Sequence, residues 1–117
     1  MHGILFLKPA ELLHIATTNN ETKQITLPDE SIVWLNENTS LSYPKKFKRS
    51  ERTVQLSGDA VFEVVSNPEQ PFMVQSEALA VKVLGTKFNV KVRKEITPSV
   101  HVLHGKVEVN NQNTTND

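Results

Sequence analysis

Two histidines near the C-terminal end, His101 and His104, are the side chains in this sequence best suited to bind a metal ion. A zinc or iron site needs three or four ligands that converge on one point. Residues three apart on a strand point to opposite faces, so both histidines could reach one ion only if Gly105 bent the chain. No carboxylate nearby completes a ligand set. We therefore expect neither a metal nor another cofactor, and a metal-dependent barrel enzyme is the third function to consider.

Four acidic residues could in principle supply a catalytic acid and base: Asp29, Glu30, Asp59 and Glu63. Hydrolysis of a glycosidic bond needs two carboxyl groups that face one cleft at a fixed separation. Asp29 and Asp59 occur among turn-forming residues, where an aspartate commonly accepts a hydrogen bond from its own backbone. The sequence contains neither a G-x-S-x-G nucleophile motif nor a phosphate-binding glycine loop. We therefore expect no catalytic residue and no enzymatic activity.

A basic loop, Lys45–Arg49 followed by Arg52, mixes cations with the ring of Phe47. Single-stranded nucleic acids bind to such mixtures, because rings stack on bases and cations contact phosphates. The whole chain is neutral, however, with 13 Lys and Arg residues against 13 Asp and Glu residues. A solvated loop, or a patch that meets an acidic protein, is therefore favoured over nucleic-acid binding.

Two large aromatic residues, Trp34 and Tyr43, could stack on a sugar or anchor a protein partner. Trp34 shares its alternation face with Ile32, which favours a place in the core. A carbohydrate- or small-ligand-binding β-module remains the alternative function, and the exposure of Trp34 discriminates between the two.

From Thr22 onward, apolar residues alternate with polar ones in short runs that are separated by turn residues. The segment Pro28–Ser31 has the composition of a tight turn and predicts a hairpin. Gly58, Gly85 and Gly105 each stand beside a strand, where glycine favours a bulge or corner. The pattern predicts an all-β fold, a small sandwich- or solenoid-like module of short, mostly antiparallel strands.

Alternation within each predicted strand indicates sheets with one wet face and one buried face. Phe62, Val83, Phe88 and Val90 fall on the apolar side of this alternation, and we expect them in the core. The chain has 117 residues and no cysteine, which suits one domain that is stabilised by its core alone.

The two ends of the chain lack the alternation of apolar and polar residues that is seen in the middle. Pro9 could open a short helical turn over Ala10–His14, whereas residues 110–117 are polar. No apolar run approaches the roughly 20 residues of a membrane span, so we expect any export signal or anchor to lie outside this chain. The predicted division is an N-terminal stub or cloning remnant (1–16), one domain (17–109) and a polar tail (110–117).

Six short motifs, in order, resemble the FecR (ferric citrate regulator) domain. They are Leu27–Pro28–Asp29 with Val33–Trp34–Leu35–Asn36; Leu41–Ser42–Tyr43–Pro44; Arg52 to Val64 in an R-x-V-x-L-x-G-x-A-x-F-E-V pattern; Pro71–Phe72–Met73–Val74; Val83–Leu84–Gly85–Thr86–Lys87–Phe88–Asn89–Val90; and Gly105–Lys106–Val107–Glu108–Val109. Three positions depart from the family pattern. Glu30 replaces a usual glycine, Asp59 replaces a glutamate, and His104 stands where an acid is common.

The resemblance implies a protein that crosses the inner membrane once and regulates an extracytoplasmic-function sigma factor. A cytoplasmic segment, absent here, would hold the sigma factor, and the periplasmic part would sense the signalling domain of a TonB-dependent outer-membrane transporter. This chain would be a periplasmic module only, with no nucleic acid and no direct membrane contact. We expect the motif residues to be structural and nominate none of them as a partner site. They are Leu27, Pro28, Asp29, Trp34, Leu35, Gly58, Phe62, Phe72, Gly85, Thr86, Phe88, Asn89 and Gly105.

Overall fold

The computed structural model describes residues 11–111, and these residues form strands, turns and loops without a helix. The strands are β1 (Leu12–Ala16), β2 (Lys23–Thr26), β3 (Ile32–Leu35), β4 (Ser40–Pro44), β5 (Arg52–Glu63), β6 (Phe72–Gln75), β7 (Leu79–Val83), β8 (Lys87–Val92), β9 (Ser99–His104) and β10 (Glu108–Asn111). The all-β prediction is confirmed.

Strand β5 belongs to two halves of one sheet. Its first part pairs with β4 and β6 in the order β1-β4-β5-β6-β7-β10, which we call the first half. Its second part pairs with β3 and β8 in the order β2-β3-β5-β8-β9, the second half. Among the described strands, only β5 and β6 pair in parallel. The prediction of short, mostly antiparallel strands therefore holds, with the 12-residue β5 as the exception in length.

Gly58 lies where β5 passes from the first half to the second. Its φ of 122° is one that side chains rarely adopt, and a Cβ there would lie 2.7 Å from the Cα of Thr39. The Thr39 hydroxyl also accepts a hydrogen bond of 3.0 Å from the backbone N–H of Asp59. Glycine is therefore required for the close approach of the two strands.

Alternation along β5 continues through this position, so both halves direct their apolar side chains to one core. The rings of Phe62 and Phe88 stack with centroids 5.2 Å apart, and Phe72 meets Phe62 edge-on at 6.1 Å. The four residues predicted for the core, Phe62, Val83, Phe88 and Val90, are all buried. The two halves thus enclose a single core, as in the sandwich-like alternative.

The predicted hairpin joins β2 to β3 through residues 27–31. The backbone N–H of Glu30 donates to the carbonyl of Leu27 at 2.9 Å, and Asp29 accepts a hydrogen bond from the N–H of Ser31 at 2.9 Å. Glu30 adopts a φ of 74°, a left-handed conformation that is unfavourable for a residue with a Cβ. Glycine, which has no Cβ, would adopt this conformation without that cost.

The helical turn predicted for Ala10–His14 is wrong for the described part, because Leu12–Ala16 forms strand β1 and pairs with β4. A helix of five residues is unstable in isolation, whereas pairing with β4 supplies backbone partners and seats Ile15 against the core. The rest of the predicted stub, residues 1–10, lies outside the described residues. Of the predicted polar tail, Asn110 and Asn111 belong to β10, and 112–117 lie outside the described part.

Candidate functional site

Arg52 is the most enclosed charged side chain in the described structure, with 1% of its surface exposed. A guanidinium group carries five N–H donors, and each of them has an acceptor here. The acceptors are Gln70 O at 2.7 Å, Val65 O at 2.7 Å, Asn67 O at 3.4 Å, Leu84 O at 3.3 Å and Asp29 Oδ2 at 2.9 Å. The group also lies 5.4 Å from the ring centroid of Phe72.

These contacts join the β2–β3 turn to the loops that follow β5 and β7. Asp29 holds Arg52 and, at the same time, accepts a hydrogen bond of 2.8 Å from the Ser31 hydroxyl. All N–H donors of the guanidinium group are bonded and its charge is paired. It therefore has no free donor for a ligand. Asp29, Phe72 and Arg52 therefore form one network of contacts inside the domain.

A second polar cluster surrounds Asp59, farther along β5. One carboxylate oxygen accepts a hydrogen bond of 3.2 Å from the amide of Asn36, and the other accepts one of 2.8 Å from the amide of Asn89. The Asn89 amide also donates to the carbonyl of Ala60 at 2.9 Å. Asp59 is buried and has no cation within 4.0 Å among residues 11–111.

The Asp59 cluster forms part of a shallow groove of about 540 Å³ on the outer face of the second half, which we call the Trp34 groove. Trp34, Gln24 and Asn89 line it together with Asp59. Gln24, Trp34, Val61, Asn89 and His101 are successive partners across the five strands. Because paired residues share a face, they form one row across the outer surface.

The prediction that Trp34 belongs to the core is wrong. Its neighbours Val33 and Leu35 are the buried residues of β3, whereas Trp34 is half-buried on the outer face. Its indole N–H donates to Gln24 at 3.2 Å, and the ammonium group of Lys87 lies 5.6 Å from the ring centroid. The run Ile32–Leu35 is apolar at every position, so the sequence alone could not show which residues face inward.

The remaining motif residues lie in the core, in turns or at close backbone contacts. Leu27, Leu35, Phe62 and Phe88 are buried, whereas Pro28 is exposed in its turn. The other positions are Gly85, where a Cβ would lie 2.5 Å from Ser66 Cα; Thr86, whose hydroxyl donates to Lys106 O at 2.9 Å; and Gly105, with a φ of 99° beside Thr86.

The two histidines lie on the same face of β9, contrary to the prediction. The β8–β9 register shifts between Lys87 and Phe88, so that His101 pairs with Asn89 and His104 pairs with Lys87. The bulge inserts one residue and restores the outward orientation at His104. No group of three metal-binding side chains occurs within the part of the chain that the structure describes.

The candidate acid and base residues have other environments. Asp29 pairs with Arg52 and Asp59 with two amides, whereas Glu30 and Glu63 are exposed. The pKa of a further acid, Glu21, is lowered, because its carboxylate accepts hydrogen bonds from the backbone N–H and the hydroxyl of Thr18. Glu21 stabilises the loop before β2 and lies on none of the candidate surfaces.

The basic loop presents its cations to solvent. Lys45, Lys46, Lys48 and Arg49 are exposed, but Phe47 packs edge-on against Phe72 with centroids 6.0 Å apart. The one ring in the run therefore contributes to packing and is not displayed for stacking on a base.

The described strands leave four edges unpaired, β1 and β10 in the first half and β2 and β9 in the second. The edge strand β9 is the longest, with six residues, and exposes Val102 and Leu103. The adjacent edge strand β10 exposes Val109. This side of the molecule is the second candidate surface, besides the Trp34 groove.

A family model described as FecR protein matches residues 14–108, from within β1 to the first residue of β10. The chain belongs to the FecR family. Two crystal structures of a protein from Parabacteroides distasonis ATCC 8503, provisionally named an anti-sigma factor, are also similar. Each is 40% identical; this chain aligns over 89% of its length with a TM-score of 0.85 in one and over 87% with 0.83 in the other.

The chain spans about half of those solved chains, 49% of each. A comparison with curated proteins finds no match. The described residues include no helix long and apolar enough to cross a membrane. The FecR match covers nearly the whole domain predicted from the six motifs, and thereby confirms the family that they indicated.

Proposed function

We propose that this domain is the periplasmic signal-transducing part of a membrane-anchored anti-sigma factor. The observation that supports the proposal is the FecR match over residues 14–108, together with 40% identity to a protein provisionally named an anti-sigma factor. The parent protein would cross the inner membrane once and hold an extracytoplasmic-function sigma factor through a cytoplasmic segment. The signal would come from the signalling domain of a TonB-dependent outer-membrane transporter.

The mechanism is a change of protein–protein contact, without catalysis. A ligand-loaded transporter would change its contact with the periplasmic part, and the sigma factor would then be released or activated, with proteolysis of the anti-sigma factor as one route. For this to happen, the periplasmic part must bind two states of the transporter with different affinity. The satisfied Arg52 network is consistent with a domain that is a rigid support for such contacts.

The decisive experiment is a binding titration with the signalling domain of the transporter encoded beside the parent gene. This domain and the longer periplasmic part of the parent protein are titrated in parallel. We expect the longer protein to bind, with this domain as its support. Binding by this domain alone would place the contact within residues 17–109, and absence of binding by both proteins would contradict the transporter as partner.

A second candidate function, carbohydrate or small-ligand binding, is favoured by the half-exposed Trp34. The ring lies in a groove with a buried carboxylate and the amide groups of Gln24 and Asn89. Amide and carboxylate groups can bind sugar hydroxyls, while an indole ring can pack against a sugar face.

The sole tryptophan of the chain makes this candidate simple to test, because all indole fluorescence reports on Trp34. We would titrate neutral mono- and oligosaccharides and follow emission and acrylamide quenching. A saturable change that Gln24→Ala weakens would support the candidate. Emission that no sugar alters would count against it.

A further inference from the structure

Strands β9 and β10 end the two halves of the sheet and follow each other along the chain. Strand β9 pairs only with β8, and β10 pairs only with β7, among the described strands. Residues 105–107 connect the end of β9 to the start of β10. We call the region formed by β9, residues 105–107 and β10 the β9–β10 edge.

Two valines at this edge face the core but are not covered. Val102 stands directly opposite Phe88, which is fully buried, and yet is 40% exposed. Val109 stands opposite the fully buried Val81 and is 45% exposed. Because paired residues on neighbouring strands share a face, both valines point toward the inside, and the core is therefore open along this edge.

The other ends of the two halves, β1 and β2, provide a comparison. Ile15 of β1 and Ile25 of β2 face the core and pack against it, as Val100 of β9 does. Leu13 of β1 is the closest counterpart of Val102, since it pairs with the buried Tyr43 and is 36% exposed. The β1 edge therefore provides a matched control.

The surface around the β9–β10 edge is positively charged. From residue 87 to residue 108, the exposed charged residues are Lys87, Lys91, Lys94, Glu95, Lys106 and Glu108, four cations and two acids. None of the four lysines lies within 4.0 Å of a carboxylate of residues 11–111. His101 and His104 lie on the same outer face as Lys87 and Lys91. A partner with acidic side chains is therefore complementary to this edge.

Strand β9 lacks two of the features that keep an edge from pairing, and its bulge lies near its C-terminal end, beyond Val102. Natural edge strands are commonly protected by charged residues or proline. The segments Ser99–His104 of β9 and Leu12–Ala16 of β1 contain neither, whereas β2 and β10 contain Lys23 and Glu108. The free backbone groups of β9 before its bulge, residues 99–102, are thus available for a further strand.

We propose that the β9–β10 edge binds an extended strand of a partner protein in which apolar and acidic residues alternate. The strand would pair with β9, place its apolar side chains beside Val102, and direct its acidic side chains to the lysines on the outer face. Addition of a strand to a free edge is a common mode of peptide recognition. The inference rests on the proposed function in one respect, namely that a partner protein supplies the strand.

A second copy of this domain is a poorer occupant than an acidic partner. Pairing of β9 with the β9 of a second copy would place two surfaces with an excess of lysines side by side, which is electrostatically unfavourable. Sedimentation velocity at increasing protein concentration tests this occupant. A dimer that Val102→Asp abolishes would overturn the proposal of a partner protein.

The first test uses a fluorescein-labelled peptide of alternating valine and glutamate. Its binding to this domain is followed by fluorescence anisotropy, beside two control peptides: one in which lysine replaces glutamate, and one with a central proline that cannot pair as a strand. We expect only the acidic, proline-free peptide to bind, and its binding to weaken as salt is added. No binding of that peptide, or equal binding of the lysine peptide, would overturn the proposal.

The second test places a carboxylate at the edge with the variant Val102→Asp and compares it with Leu13→Asp. We expect Val102→Asp to weaken peptide binding at least about tenfold, which corresponds to roughly 1.4 kcal/mol, and Leu13→Asp to leave it unchanged. Thermal unfolding of both variants checks that they fold. Equal loss in both would overturn the assignment to β9. Since the peptides replace the transporter, these results are independent of whether the transporter is the natural partner.

Discussion

The interior near Arg52 and the edge at Val102 reverse the usual places of charged and apolar side chains. Arg52 is a cation with 1% of its surface exposed, whereas Val102 is an apolar residue with 40% exposed. Charged residues are almost never fully buried unless they are paired. Arg52 meets this condition through five hydrogen bonds and the carboxylate of Asp29.

This difference indicates which residue contributes to the stability of the domain and which one contributes to binding. A guanidinium group whose donors all have partners inside the domain has nothing to offer another protein, so its role is to connect loops. A core-facing valine at an unpaired edge has the opposite character, because its environment is incomplete without a further strand. We therefore expect substitutions at Arg52 to change stability, and substitutions at Val102 to change binding.

The largest effect is expected for Arg52→Met. This change removes the only cation paired with Asp29 among residues 11–111, and it removes the arginine donor from four backbone carbonyls. Removal of one partner of a buried ion pair typically costs about 3–5 kcal/mol, and we expect a loss of that size in the free energy of unfolding, measured by urea denaturation. The control is Arg49→Met at an exposed position. A loss below 1 kcal/mol in Arg52→Met, similar to the control, would contradict the structural role of the network.

Phe88 and Val102 are direct cross-strand partners and allow the comparison to be made across a single pair. Phe88→Ala should lower the free energy of unfolding by about 3–5 kcal/mol, because it removes a buried ring that stacks on Phe62. Val102→Ala should cost less than about 1 kcal/mol, because the side chain is already partly in water. Denaturant midpoints of the two variants measure both values. Similar losses would mean that the β9 edge is closed in solution, and that the contrast with Arg52 does not hold.

Gly58→Ala tests the corner that joins the two halves. A methyl group at this position would meet Thr39 and would require a φ of 122° that side chains rarely adopt. Local backbone strain of this kind costs about 1–3 kcal/mol. Thermal unfolding should show a lower midpoint, whereas Ser57→Ala on the exposed side of β5 should leave it nearly unchanged. An unchanged midpoint in Gly58→Ala would show that the backbone at this corner can adopt another conformation without loss of stability.

The alternation of apolar residues was sufficient to predict the strands and much of the core. Phe88 is predicted correctly because polar and apolar residues alternate strictly along β8, and Phe62 because it continues the spacing of two set by Val54 and Leu56. Trp34 was assigned wrongly, because Ile32–Leu35 has no polar residue to mark the outer face. Its orientation is set by the register with β2 and β5, and single-sequence periodicity does not contain that register.

Other features depend on contacts between distant residues. The strand at Leu12–Ala16 forms because β4 offers an unpaired edge, and the common face of His101 and His104 results from a bulge opposite Lys87. Neither feature can be recognised from the residues of its own segment. The Arg52 network joins residues 23 and 32 positions apart, so its motif residues could be recognised as a set but not placed together. The β9–β10 edge could likewise not be predicted from the sequence, because the exposure of Val102 depends on whether another strand pairs with β9.

The smallest predicted effect concerns the turn that holds Asp29 against Arg52. Glu30 adopts a φ of 74° in this turn, and glycine at this position would remove the steric cost of the left-handed conformation, about 1–2 kcal/mol. Glycine also loses more conformational entropy on folding, about 0.5–1 kcal/mol, so we expect Glu30→Gly to raise the free energy of unfolding by up to about 1 kcal/mol. The control is Glu69→Gly in an exposed loop, which should be neutral or destabilising. Because the change stabilises the turn without touching β9, peptide binding at the β9–β10 edge should stay the same; a gain in stability accompanied by altered binding would show that the interior and the edge are coupled.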